Sequence, residues 1–452
     1  MYDLGILGGG PAGYVAAERA AGKGLKTVIF EKRELGGVCL NEGCIPAKTL
    51  LYAAKIADNA REASKYGLKI NNISFDFPVM MRRKDKVVKK LVNGVAARMK
   101  AGNIEVVKGE ALIEKYVKNI IHIRSNSKVY ECRNLLICTG SEALVPLING
   151  LPETDYLTNR EILQLESIPE SLNIIGGGVV GIEFASLFSS LGSKVAVVEM
   201  KEEILPGIEP EMGKLLRETL TKKGVEFYLA AQVNEVKGKE LEFEKEGNQH
   251  HINAEKLLVS VGRKPNIEGF GLEKLNIELY KGGIKIDSNC RTNIPNVYAA
   301  GDVTGFSLLA HTASREGEVA VNHMTGRKDT MRYNAIPAVV YTNPEIACVG
   351  LTEEQAREKG IDYKVKTLSM AFAGRFVAEN EGKNGFAKII VGKTFGEILG
   401  VHMIGNPSSE MIYGAAMAIE AQLRIDDLQE IVFPHPTVSE IFRETIFAFE
   451  ND

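Results

Sequence analysis

The chain carries one nucleotide-binding unit twice, and this repeat constrains its fold more than any other feature. The apolar run Leu4 to Leu7 enters Gly8-Gly9-Gly10-Pro11-Ala12-Gly13. A helical stretch follows, then the strand Thr27-Val28-Ile29-Phe30 closing at Glu31. Leu172 to Ile175 likewise enters Gly176-Gly177-Gly178-Val179-Val180-Gly181, and a helical stretch gives way to Lys194-Val195-Ala196-Val197-Val198, closing at Glu199. In both copies the acid lies 18 positions after the last glycine. A first glycine permits a tight strand-to-helix turn, a second lets the backbone approach a pyrophosphate, and a third lets helix pack on strand. The helix N-terminus adds unpaired N–H groups and the positive end of its dipole. The carboxylate at the tip of the second strand can accept both ribose hydroxyls. A lone glycine run would equally suit an ordinary turn. Strand, helix, second strand and acid, found twice, predict an α/β chain with two dinucleotide sites.

Glu199 also bears on cofactor choice. A carboxylate there repels the 2′-phosphate of NADP, and Met200-Lys201-Glu202-Glu203 adds one base against two acids. NAD is favoured over a merely solvated strand end. At 452 residues the chain exceeds what one core usually organises, so two to four domains are expected. A net charge of −3 points to neither a nucleic-acid nor a membrane partner, and no apolar run approaches the roughly 20 residues that span a bilayer. The opening MYDLGILGGG lacks a basic leader and is not expected to be a signal peptide. Six cysteines are too few for a disulfide scaffold, which suggests a reducing, cytoplasmic setting where a disulfide would be catalytic.

Between and after the repeats we expect helices over 45–64 and 78–101, a meander of short strands over 104–137, and a strand over 284–301 leading to a Gly-Asp turn. A tail from about 335 mixes strands with helices, including an amphipathic stretch over 409–421.

The most informative segment is Gly36-Gly37-Val38-Cys39-Leu40-Asn41-Glu42-Gly43-Cys44-Ile45-Pro46-Ala47-Lys48. Cys39 and Cys44 could face each other across about one helical turn and close a small-loop disulfide. So small a loop gives little chain-entropy stabilisation, which favours redox exchange over a structural bridge. A position near a helix start lowers a thiolate pKa. A zinc site would need two more ligands at suitable spacing, and no second close Cys or His pair is present. Metal binding and a reduced structural pair remain the alternatives, and we assign no metal. Cys132, Cys138, Cys290 and Cys348 lie in apolar or strand-like runs and read as core.

This segment resembles the active-site signature of the class I pyridine nucleotide-disulfide oxidoreductases, and the similarity extends over essentially the whole chain. The resemblance implies two Rossmann-like domains, for FAD and NAD, and an α+β C-terminal dimerisation domain. It divides the chain into an FAD domain (1–145), an NAD domain (146–265), a central domain completing the FAD site (266–335) and an interface domain (336–452). Cys39 becomes the interchange thiol that meets substrate and Cys44 the charge-transfer thiol against the flavin. Lys48 is placed beside the flavin ring, paired with Glu183. Ala299-Ala300-Gly301-Asp302-Val303 resembles the second FAD motif, whose aspartate bonds the ribityl chain, and Thr139-Gly140-Ser141 resembles the turn where the chain passes the FAD again. The implied FAD site comprises Gly8, Gly10, Pro11, Ala12, Gly13, Glu31, Lys32, Gly37, Val38, Lys48, Thr139, Gly140, Ser141, Gly301, Asp302 and Ala310. The NAD site comprises Gly176, Gly178, Val179, Val180, Gly181, Glu183, Glu199 and Gly262.

Near the end, Phe433-Pro434-His435-Pro436-Thr437-Val438-Ser439-Glu440 brackets a histidine with prolines that restrict its backbone. Histidine carries protons near neutral pH, and a carboxylate such as Glu440 on its other nitrogen fixes its tautomer. Alone, such a histidine is more often a loop residue. His-Pro-Thr-x-x-Glu, however, resembles the family's catalytic dyad, which reaches the disulfide of the other subunit and so implies a homodimer.

Within the family, NADPH-linked glutathione-type reductases would place arginines beside Glu199, and none is present. Mercuric and high-molecular-weight thioredoxin reductases carry C-terminal redox residues, whereas the last cysteine here is Cys348. The branch that oxidises protein-bound dihydrolipoamide survives, with a lipoyl domain of a 2-oxo acid dehydrogenase or glycine-cleavage system as partner and reduction of glutathione or another small disulfide as runner-up. One departure stands out. Glu42 replaces an often apolar residue between the cysteines, where its charge could shift the redox potential.

Overall fold

Two sheets, the first mixed and the second parallel, grow out of the two glycine repeats in the computed structural model, which describes residues 1–451. In the first, Glu105–Lys108, Thr27–Glu31, Tyr2–Leu7 and Lys128–Ile137 lie side by side in parallel, and Val297–Ala299 pairs in parallel with the end of Lys128–Ile137. Residues remote in sequence therefore complete the first sheet. The inward runs are continuously apolar, as a doubly covered parallel sheet requires. Leu4, Ile6, Ile29 and Leu136 are fully buried, each worth about 1.5–3 kcal/mol on burial. The helices Pro11–Ala21 and Ala310–Met324 pack together over this sheet.

The second sheet, in the order Val225–Tyr228, Lys194–Val198, Ser171–Ile175, Lys256–Val259, is parallel throughout. An antiparallel hairpin pair over 231–253 is inserted beside it. The chain enters and leaves this unit through one short ribbon, Ser141–Ala143 against Arg263–Pro265. The C-terminal part is a five-stranded antiparallel sheet covered by Ser408–Glu420 and Glu440–Phe447. Among the described residues no helix is long and apolar enough to cross a membrane.

Three expectations need correction. The segment 104–137 is not a simple meander: Glu105–Lys108 joins the parallel sheet, and only Ala111–Val117, Ile120–Ser125 and Lys128–Ile137 run antiparallel. The continuous strand over 284–301 is absent. Strand is confined to Gly283–Ile284 and Val297–Ala299, because Asp287 accepts the N–H groups of Asn289 and Arg291 while Cys290 and Asn296 take positive φ, turning the chain twice. Cys39 and Cys44 do not share a helical turn. Cys39 lies in the short helix Gly37–Asn41, and Cys44 opens the helix Cys44–Arg61 after a break at Glu42 and Gly43.

Candidate active site

The two glycine turns have the same construction. Gly8 N–H donates to Phe30 O at 2.8 Å and Gly176 N–H to Val198 O at 2.9 Å. Both first glycines hold positive φ, +103° and +108°, which favours glycine. A Cβ on Gly13 would stand 1.9 Å from Gly8 O, and one on Gly181 2.2 Å from Gly176 O. Each strand-end acid grips its own turn. Glu31 Oε2 accepts Gly9 N–H at 2.7 Å and Glu199 Oε2 accepts Gly177 N–H at 2.5 Å. Helices start at Pro11 and Val179 with no side-chain cap, leaving their first N–H groups to an anion.

Four further segments converge on the first turn. Gly37 comes so close that a Cβ on it would meet Gly10 Cα at 2.7 Å. Gly301 packs towards Ala12 and Ala313, and Gly317 of the next helix sits against Ala12 O. Ser141 Oγ donates to Asp302 Oδ2 at 2.5 Å, and Arg263 donates to Ser141 Oγ at 2.7 Å and Ser141 O at 2.8 Å. Thr139 and Asn266 exchange hydrogen bonds across the same ribbon at 2.7 and 3.0 Å. Gly140 takes a φ of +72°, Val38 lies beside Gly37, Ala310 opens its helix, and Lys32 is exposed beyond Glu31. Gly262 follows Ser260, whose carbonyl walls Gly176, and accepts Leu144 N–H at the linker.

The buried carboxylate of Glu316, 0 % exposed, accepts Gly301 N–H at 2.6 Å and Tyr333 O–H at 2.7 Å. Burial pushes it up to about 7. Sequence reasoning missed Glu316, although an acid among the apolar positions of 310–324 was its signal. It also missed Arg263 and Asn266, whose short strand and its end carry no motif.

The redox segment holds Cys39 and Cys44 as two thiols in hydrogen-bond contact. The bond from Cys39, with the Lys48 ammonium helping, lowers Cys44 to about 7 against the effect of burial. The same hydrogen bond, with burial, drives Cys39 upward. Lys48 Nζ lies 2.7 Å from Glu183 Oε2 and 4.7 Å from the Tyr341 ring centroid, while Glu183 Oε1 accepts Tyr341 N–H at 2.9 Å. Burial opposes the Lys48 charge, but Glu183 outweighs it and raises the lysine pKa.

Glu42 does not stand as an isolated charge. Its carboxylate takes Arg33 at 3.0 Å and Arg160 at 2.5 Å, and Glu142 bridges both at 2.8 and 2.5 Å. The expectation that its bare charge tunes the cysteines is replaced by a closed four-residue ring of balanced charge. His435 Nδ1 lies 2.7 Å from Glu440 Oε1, a bond that lowers the Glu440 pKa, and Glu440 Oε2 also accepts Thr437 N–H at 2.9 Å. The imidazole is 78 % exposed and has no hydrogen bond to either cysteine of its own chain.

The pyridine nucleotide-disulphide oxidoreductase model matches residues 2–317, and the family's dimerisation domain matches 336–446. The chain is 39 % identical to a dihydrolipoyl dehydrogenase of Chlamydia muridarum, covering 98 % of this chain and 96 % of that one. It is also 39 % identical to one of Geobacillus stearothermophilus, over 97 % and 94 %. The crystal structure of LpdA from Mycobacterium tuberculosis superposes with a TM-score of 0.92 at 25 % identity, covering 99 % and 100 %. The HOCl-induced flavoprotein disulfide reductase RclA from Escherichia coli gives 0.86 at 28 %, covering 99 % of each chain. With paired thiols, two matched dinucleotide turns and these full-length similarities, the chain belongs to the pyridine nucleotide-disulphide oxidoreductase family.

Proposed function

We propose that the chain is a dihydrolipoamide dehydrogenase, oxidising protein-bound dihydrolipoamide to lipoamide and reducing NAD+ to NADH. The family uses FAD and NAD, and the residues here fit both. Gly8, Gly10, Pro11, Ala12, Gly13 and Glu31 would take the pyrophosphate and adenosine side of FAD, with Lys32, Gly37, Val38, Thr139, Gly140, Ser141, Gly301, Asp302 and Ala310 around the rest. Gly176, Gly178, Val179, Val180, Gly181, Glu199 and Gly262 would take NAD. Passing two electrons from the dithiol to nicotinamide is the chemistry FAD supplies when bound.

The chain's own residues do the thiol and proton work. His435 of one copy removes a proton from a substrate thiol, while Glu440 holds its Nδ1 and steadies the imidazolium. The substrate thiolate attacks Cys39 of the disulfide, and Cys44 leaves as a thiolate. The second substrate thiol then displaces Cys39, giving the cyclic lipoyl disulfide and the reduced pair. Lys48, oriented by Glu183, keeps positive charge beside Cys44. Cys44, Lys48 and Glu183 thus form one electrostatic unit. Because His435 is exposed and hydrogen-bonds only Glu440 among the described residues, this reading takes the histidine from the partner copy of a homodimer. A lipoyl-bearing complex as partner and a cytoplasmic location go with it.

The observation that carries the reading is the pair of free thiols Cys39 and Cys44, the latter one helical turn before the Lys48 that pairs with the buried carboxylate of Glu183. Purified protein given NAD+ with dihydrolipoamide, and separately NADPH with oxidised glutathione, tests it. Strong turnover only with the second pair would overturn the substrate assignment.

A further inference from the structure

The helix Phe77–Ala101 carries eight Lys and Arg against one Asp, in a chain whose net charge is −3. Its inner face rests on the chain on both sides of the redox pair. Phe77 shares a core with Leu50 and Leu51, and Val95 and Met99 share one with Leu40 and Ile45. Several of its cations are accounted for. Lys84 donates to Leu163 O at 2.6 Å, Arg83 to Thr49 O at 3.3 Å, and Arg98 pairs with Glu18 at 3.2 Å.

What remains, besides Lys100 at the far end of the helix, is an outward row: Arg82, Lys86 and Lys90 at four-residue intervals, with Lys89 beside them, all exposed. None of the four has an ion pair or side-chain hydrogen bond among the described residues. Exposed cations elsewhere, such as Lys23, Lys69 and Lys214, are also unpaired but scattered, so it is the clustering of four on one helix face that sets this row apart. Like charges four residues apart disfavour a helix, so packing of the opposite face must hold this one.

We propose that this row is the docking face for an acidic protein domain that carries the dithiol substrate. The proposal rests on the function inferred above and adds how the substrate arrives. Packed helices lie about 8–10 Å apart, close to the screening length of about 8 Å at physiological ionic strength. The helix bearing the row packs on both the helix of Cys39 and the helix that Cys44 opens, and on this proposal the carrier domain rests over it while its arm reaches Cys39. Four unpaired cations attract an acidic surface, raising its encounter rate and orienting it. A free dithiol of no net charge gains nothing from them.

The test sets free dihydrolipoamide beside an acidic lipoyl domain over a series of salt concentrations. For the wild type, kcat/KM with the domain should fall steeply with salt, and with free dihydrolipoamide it should stay flat. Lys86→Glu with Lys90→Glu should lower the domain value about tenfold at low salt and flatten the slope. Turnover of free dihydrolipoamide should not change, and Lys86→Arg with Lys90→Arg should keep the wild-type slope. An unchanged salt slope in the charge-reversed protein overturns the proposal. So does competition by a DNA duplex as strong as that of the domain, which would mark a general polyanion surface. Monomerisation of the charge-reversed protein would mark a subunit contact and overturn it too. Failure of the wild type to oxidise free dihydrolipoamide would instead break the functional reading itself.

Discussion

The two glycine turns are near copies in backbone and differ in what surrounds them. The first is closed in by Gly37, Gly301, Asp302 and the helix bearing Gly317, drawn from distant parts of the chain. At the second, Val179 and Val180 remain 39 % exposed each. Prolonged retention of a group needs many segments that must separate before it leaves, whereas an exchanging substrate needs an open mouth. In the proposed function one motif serves a resident cofactor in one place and a diffusing one in the other. The choice lies in the surroundings rather than in the turn.

Alanine at the third glycine of each turn is the sharpest way to break this contrast. Overpacking of this kind costs about 1–3 kcal/mol or more. Gly13→Ala should purify largely without flavin, by visible absorbance. Gly181→Ala should keep its flavin and raise KM for NAD+ more than tenfold. Equal flavin loss in both would erase the distinction. The strand-end acids extend the comparison with a smaller effect. Glu31→Ala should weaken flavin retention. Glu199→Ala should raise KM for NAD+ by about tenfold, as loss of a charged hydrogen bond of about 1.5 kcal/mol implies, and should narrow discrimination against NADP+.

Glu316 probes the closed side through pH. Its ordinary value is 4.5, and burial raises it to about 7 in the fold. Folding therefore favours the protonated form. That contribution is whole below about 4.5 and is lost as pH rises towards 7. The melting temperature of wild type relative to Glu316→Gln should fall across this window, and a constant difference would refute it. The smallest effect is expected at Glu42, in the ring joining the redox loop to the segment entering the second sheet. Glu42→Gln leaves Glu142 to hold Arg33 and Arg160, so thermal unfolding should shift by no more than about 1 kcal/mol equivalent.

Much of this site was legible from local pattern. The 18-residue interval from glycine to acid reflects the fixed length of one helix and return strand, so Glu31 and Glu199 could be placed without coordinates. The Cys39–Cys44 spacing and the His435–Glu440 spacing are likewise short-range. The Arg33–Glu42–Arg160–Glu142 ring was not legible, because its members span more than a hundred residues and no local periodicity links them. Glu42 read as an unbalanced charge for that reason. The expected 284–301 strand failed similarly: apolar residues suggested extension, while the Asp287 and Asn296 turns decided otherwise.

The sequence by itself determined the two strand–turn–helix units, the pair of redox cysteines and the acids that close each nucleotide turn, since all of these depend on steric and hydrogen-bonding rules acting over a few residues. Only the tertiary structure decided which turn is enclosed, that Tyr341 joins the Lys48–Glu183 pair, that Glu42 is neutralised, and that Glu316 is buried against Gly301. Those outcomes depend on which distant surfaces pack together, and burial and charge pairing are properties of that packing.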